Sequence, residues 1–175
     1  MGRVAAEKNV QLLVDSFRLL RRQVPAVRLV LVGQVYHRRW LRRLLGQMAG
    51  VVVTGQQPPE VVAEAFAGAE ILALPSLTDV QALVQQEAAL AGVPTVLTDV
   101  GLHTYGPLGG ATVLAAPEPV AYAAALRGLL CDPERARVIG IAARNRALEH
   151  TPERFAAQVR DVYALAAAQR FSRSA

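Results

Sequence analysis

The chain has 175 residues, 53% apolar and 19% charged: enough apolar material for one core, too little charge imbalance for a disordered tail. The net charge of +5 is uneven: residues 1–50 carry ten Lys/Arg against two Asp/Glu, residues 51–120 seven Asp/Glu and no Lys or Arg, residues 121–175 nine against five. That cation-free centre argues against a nucleic-acid footprint, the apolar runs fall far short of the roughly 18–20 residues of a membrane span, and Cys131, the single cysteine, excludes a disulfide framework or a cysteine-based zinc site within the chain. Met1-Gly2-Arg3 leads into a mixed polar segment rather than the apolar run of a signal peptide, so a cytoplasmic location is expected.

In chain order, Gly2 to Asn9 reads as a glycine-led loop. Val10, Leu13, Phe17, Leu20 and Val24 then recur at helical spacing, in a helix that ends before Pro25. Arg28–Val32 is the first short apolar strand, followed by a helix with Leu41, Leu44, Leu45 and Met48 on one side. Val51–Thr54 is a second strand, and Pro59 opens a helix to Gly68. Glu70–Leu74 is a third strand, Asp79 to Ala91 a helix stopped by Gly92 and Pro94, and Thr95–Thr98 and Ala111–Ala115 two further strands. Pro119–Leu130 is helical, Asp132-Pro133-Glu134 and Thr151-Pro152-Glu153 each open another helix, and Phe171–Ala175 is expected to fray. Alternating strands and helices with short connections predict an α/β, doubly wound, Rossmann-like parallel sheet. Such a sheet usually opens with a strand, yet none is visible before the first helix. Either that strand lies upstream or the other strands close the gap, because two unpaired buried ladders are costly.

Two segments carry chemistry. Arg3 and Lys8 flank a loop that feeds a helix N-terminus, a setting that suits a diphosphate as well as it suits two solvated cations. Lys8 is the only lysine among 19 cations, and a compact ammonium differs from a guanidinium in acting as a point charge. The second segment runs from Pro75-Ser76 at a strand's C-terminal end into the helix from Asp79, the edge where open α/β sheets bind ligands. There Thr78 or Asp79 can cap the helix, its first N–H groups can face a phosphate, and Glu87 lies about 12 Å further along the axis. An N-cap followed by an exposed helix acid is the alternative reading.

Together these segments resemble the C-terminal, donor-binding domain of the GT-B-fold retaining glycosyltransferases of the group 1 kind. The shared features are Gly2-Arg3, Glu7-Lys8-Asn9, Pro25 through Leu29, Leu31, Val32 and Gly33, then Ala69-Glu70-Ile71 to Pro75-Ser76. The Glu-x7-Glu pattern stands as Asp79-x7-Glu87, continued by Ala88-Ala89-Leu90-Ala91-Gly92-Val93-Pro94. The resemblance implies a nucleotide-sugar-binding domain over residues 1–170 and transfer of a sugar from a nucleoside-diphosphate sugar with retention. It implies that Arg3 and Lys8 hold the donor diphosphate, that Asp79 faces the sugar and that Glu87 binds the ribose. The backbone of Val80, Gln81, Ala82 and Leu83 would approach the donor; the family usually has Gly-Phe-Gly-Leu in that stretch. Neither a metal nor a separate cofactor is expected. The acceptor is unspecified, and the family's N-terminal acceptor domain, which usually supplies a catalytic histidine, lies outside these residues, so His37, His103 and His150 are not given that role. A degenerate, non-catalytic interaction module is the alternative.

Arg18, Arg21, Arg22, Arg38, Arg39, Arg42 and Arg43 fall on two consecutive helices that a doubly wound fold places on one sheet face. A solvated basic face is one reading, and peripheral contact with anionic lipid at the inner membrane face is the other.

Overall fold

The computed structural model describes residues 1–79, 83–101 and 108–172. A short 3-10 turn at Ala6–Lys8 precedes α1 (Val10–Gln23). Then follow β1 (Leu29–Val32), α2 (Arg38–Leu45), β2 (Val51–Gly55), α3 (Pro59–Ala67), β3 (Leu72–Leu74), α4 (Leu83–Leu90 as described), β4 (Thr95–Thr98), β5 (Val113–Ala115), α5 (Pro119–Leu130), α6 (Pro133–Glu149) and α7 (Pro152–Ser172). The element order is the expected one, with three shifted boundaries. β3 starts at Leu72 because Gly68 and Ala69 still donate to Glu64 and Phe66 at the end of α3. β5 starts at Val113 because the Ala111 N–H turns back to the Leu108 carbonyl. α7 reaches Phe171 and Ser172, the first two residues of the tail expected to fray, and residues 173–175 lie outside the described residues.

All strand pairs are parallel, in two separate ladders, β1–β2 and β3–β4–β5. Leu29 faces Val51, Leu72 faces Thr95 and Val96 faces Val113. The gap foreseen before the first helix is therefore real. It falls between β1 and β3, and no other described strand closes it. Residues 2–4, expected as loop, partly enter it: Gly2 N–H donates to the Val32 carbonyl and Val4 N–H to the Gln34 carbonyl, each at 2.9 Å, and Val4 bridges Val35 in parallel.

One layer of helices forms the main core. Val10, Leu13, Val14 and Leu20 of α1 pack with Tyr122, Leu126 and Leu129 of α5 over Leu31 and Val96 of the strands. Fully burying such a side chain contributes about 1.5–3 kcal/mol. Tyr122 can be fully buried because its hydroxyl donates to the Val96 carbonyl at 2.8 Å, and burial pushes its pKa well above the ordinary value. On the other layer Phe66 of α3 packs with Leu72, Ala88 and Val93, and Ala89 of α4 meets Ala143 and Ala147 of α6. Gly140 permits that approach, since a Cβ there would lie 2.1 Å from the Gly92 carbonyl oxygen. Asp132 caps α6 by accepting from the Arg135 N–H at 3.0 Å, and Thr151 Oγ1 accepts from the Arg154 N–H at 3.3 Å, as their sequence positions require.

Candidate active site

The site lies at the C-terminal ends of β1, β2 and β3, where the chain leaves the sheet. Gly33 makes the first crossing possible. Its φ is +136°, and a Cβ on it would fall 1.7 Å from the Gly2 carbonyl oxygen, so only glycine lets residues 1–4 cross the end of β1. From there Val4 and Ala5 are buried, the 3-10 turn carries Lys8 inward, and Asn9, at φ 52°, redirects the chain into α1.

Lys8 and Asp79 meet across the site. The Lys8 ammonium donates to both carboxylate oxygens of Asp79, at 2.6 and 2.8 Å, and both side chains are largely covered. Arg3 is exposed and lies 3.8 Å from Glu7, four residues on, a loose pair that leaves its guanidinium at the surface. Arg3, Lys8, Asp79 and Leu83 line one cavity of about 330 Å³, floored by Leu31, Val32, Ala73 and Leu74. Glu87, one turn beyond Leu83 on α4, opens on a neighbouring cleft of about 600 Å³ that shares Gly2, Val32 and Val84 with the first.

The structure thus gathers Arg3, Lys8, Asp79, Leu83 and Glu87 around two continuous cavities, while Val80, Gln81 and Ala82 lie outside the described residues, as does His103. His37 lies at the start of α2, and His150 caps α6 with Nδ1 2.8 Å from the Arg146 carbonyl; neither lines these cavities. Sequence reasoning did not single out Gln56, Gln57, Val62 and Phe66, which line the Glu87 cleft. Their signal was position: Gln56-Gln57 directly follow β2, at the sheet edge where ligands bind. Among the described residues, no group of three or more His, Cys, Asp or Glu is arranged to hold a metal ion.

The basic face is smaller than the seven arginines implied. Arg18 pairs with Asp15 at 2.5 Å and donates to the Leu44 carbonyl, and Arg21 folds inward against Gly50 with its Nη1 buried. Arg22 and the four arginines of α2 stay exposed. No helix among the described residues is long and apolar enough to cross a membrane.

A parallel α/β layer with ion-paired and acidic groups at its C-terminal strand edge defines a Rossmann-like domain. This chain belongs to the family "Glycosyl transferases group 1", whose model matches residues 1–132, and it corresponds to the C-terminal domain of such enzymes. It is 33% identical over 162 residues to the GDP-mannose-dependent alpha-(1-6)-phosphatidylinositol monomannoside mannosyltransferase of Mycolicibacterium smegmatis, covering 86% of this chain and 42% of that protein. Sucrose-phosphate synthase from Thermosynechococcus elongatus superposes with a TM-score of 0.79 at 27% identity, over 96% of this chain and 45% of that one. Anabaena HepE in complex with UDP-glucose shares the fold, with a TM-score of 0.73 at 20% identity over 85% of this chain and 43% of its own. The chain spans less than half the length of each of these proteins.

Proposed function

We propose that this chain is the donor half of a retaining glycosyltransferase and binds a nucleoside-diphosphate sugar across the two cavities. The observation that carries this reading is the convergence of Arg3, Lys8 and Asp79 on one cavity, with Glu87 on the cleft that continues it. Arg3 and Lys8 would hold the diphosphate, with Leu83 beside them. Glu87 would accept from the ribose hydroxyls, the apolar walls at Val62 and Phe66 would receive the base, and Asp79 would face the sugar. When the bond from the anomeric carbon to the diphosphate breaks, the electron pair leaves on the diphosphate. Preorganised cations in a partly covered site stabilise that charge without a metal. Residues that bind the acceptor would come from polypeptide outside these 175 residues, and the cytoplasm is the proposed location.

Calorimetry with UDP-, GDP- and ADP-sugars tests this reading. One donor class should bind, Lys8→Ala should weaken it by roughly 1.5–3 kcal/mol, the range of a charge-assisted contact, and Glu87→Ala should weaken it as well. Unchanged affinity in both variants removes the assignment. Failure of all three donors to bind favours the non-catalytic module.

A further inference from the structure

A separate cavity, of about 770 Å³, lies at the start of α2 and shares no lining residue with the two cavities of the candidate donor site. Val35, packed on the main core and bridged to Val4, and Ala6 of the 3-10 turn supply its apolar side. The opposite side is α2. Arg39 and Arg43 stand one helical turn apart there, and Trp40 follows Arg39, partly buried against the core. Tyr36, just before the helix and 53% exposed, completes the lining with His37 and Arg38.

The positive charge at this place is uncompensated. Residues 16–59 carry eight arginines and no Asp or Glu, so the chain offers these cations no acid nearby in sequence. None of Arg38, Arg39, Arg42 and Arg43 forms an ion pair among the described residues, and Glu7, next to Ala6 in the turn, pairs with Arg3 instead. Arg38 with Arg42, and Arg39 with Arg43, are like charges four residues apart, a spacing that destabilises a helix. The first turn of α2 contains no acid, so Arg38 and Arg39 also stand at the positive end of the helix dipole. An anion held in the cavity offsets both of these terms.

The geometry points to a phosphate-ester site, in which Arg39 and Arg43 clamp one phosphate and the rings of Tyr36 and Trp40 take the carbon skeleton of its alcohol. A guanidinium presents parallel N–H donors that match two oxygens at once. One arginine therefore satisfies a carboxylate, whereas a phosphate monoester offers three terminal oxygens and a charge of about −1.5 to −2, enough for two. Residues one turn apart have Cβ atoms about 5–6 Å apart, so both side chains reach the same group. The aromatic rings beside them present apolar surface that a bare inorganic ion leaves unused. A soluble phosphate ester and the headgroup of an anionic lipid share this chemistry. The site needs neither Lys8 nor Glu87, so it stands apart from the donor reading.

Trp40 is the one tryptophan of the chain, so its fluorescence reports this cavity. The full 175-residue chain is titrated with glycerol phosphate in one arm, and in the other with phosphatidylcholine vesicles with and without phosphatidic acid. A saturable change in Trp40 emission is expected, with a rise in melting temperature as the ligand binds the folded state. Sodium chloride and sodium acetate at the same ionic strength should produce neither. Arg39→Gln/Arg43→Gln should weaken the response about tenfold or more, through loss of two charge-assisted contacts. Both side chains are exposed, so the double variant should fold and melt no lower than the parent without ligand. Lys8→Ala should leave the Trp40 titration unchanged. A response to glycerol phosphate assigns a soluble ester, and one confined to phosphatidic acid vesicles assigns a lipid headgroup. No response in either arm, an equal response to chloride or acetate, or one that the double variant keeps in full overturns the inference. Loss of the response in Lys8→Ala with the double variant unaffected also overturns it, because the ester would then be held in the donor cavity.

Discussion

The Lys8 ammonium bridges both carboxylate oxygens of Asp79, joining the turn before α1 to the loop after β3 across 71 residues. The pair spans the mouth of the cavity proposed for the diphosphate, so the one lysine of the chain is already held in a fixed place. A donor diphosphate would share or displace this carboxylate. In a double-mutant cycle of Lys8→Ala and Asp79→Asn, the coupling in thermal stability should be about 1 kcal/mol, the upper end for partly exposed pairs, because the contact is bidentate and mostly covered. Nucleoside diphosphate should bind Asp79→Asn more tightly than the unmodified chain, since a carboxylate beside the phosphates is removed. Weaker binding would mean that Asp79 positions Lys8 for the phosphates rather than competing with them.

Gly33 is the hinge of the site. Gly33→Ala combines a strained positive φ with a collision against the Gly2 carbonyl oxygen, and should cost roughly 2–4 kcal/mol. The segment Gly2–Val4 should lose its two hydrogen bonds to Val32 and Gln34, read as faster exchange at the Gly2 and Val4 amides. Gly110→Ala is the control: its φ is ordinary and a Cβ there meets nothing within 4 Å, so it should melt as the parent does.

Tyr122 makes stability depend on alkaline pH. Its folded pKa lies above its ordinary value because burial disfavours the phenolate. The folded state therefore keeps a proton that the unfolded state gives up, and this contribution is intact below about pH 10 and lost as pH rises above it. In Tyr122→Phe that alkaline loss should shrink. At neutral pH the variant should be about 1 kcal/mol less stable, because the Val96 carbonyl loses its hydroxyl partner. Identical melting curves between pH 9 and 11 for both proteins would remove the phenol from the account.

The basic surface is carried by Arg38, Arg39, Arg42 and Arg43 of α2, with Arg22 nearby in sequence on α1. Vesicle co-sedimentation should require acidic lipid, fall with salt and drop in Arg38→Glu/Arg42→Glu, each arginine contributing about 1 kcal/mol near the surface. Because Arg18 donates to the Leu44 carbonyl and the Arg21 guanidinium is turned inward against Gly50, Arg21→Glu should lower stability rather than act through lipid. Equal recovery on neutral and acidic vesicles would leave a solvated surface.

The sequence by itself determined the order and type of the elements, the parallel α/β class and the α6 cap at Asp132, and it singled out Lys8, Asp79 and Glu87 as candidates at the strand edge. These are legible because apolar spacing, proline and capping residues act over a few positions, and because a lone lysine among arginines stands out by type. Also legible was that the residues before α1 supply no full strand. Only the tertiary structure decided that Gly2 and Val4 hold the end of that strand position, that Asp79 closes on Lys8, that Arg21 turns inward, and that Gln56, Gln57 and Phe66 share a cleft with Glu87. Backbone N–H and C=O groups are the same at every residue but proline, so no side-chain pattern announces which edge they will meet. Contacts between residues many positions apart depend on how the layers cross, which is set by packing over the whole chain rather than by any local run of residues.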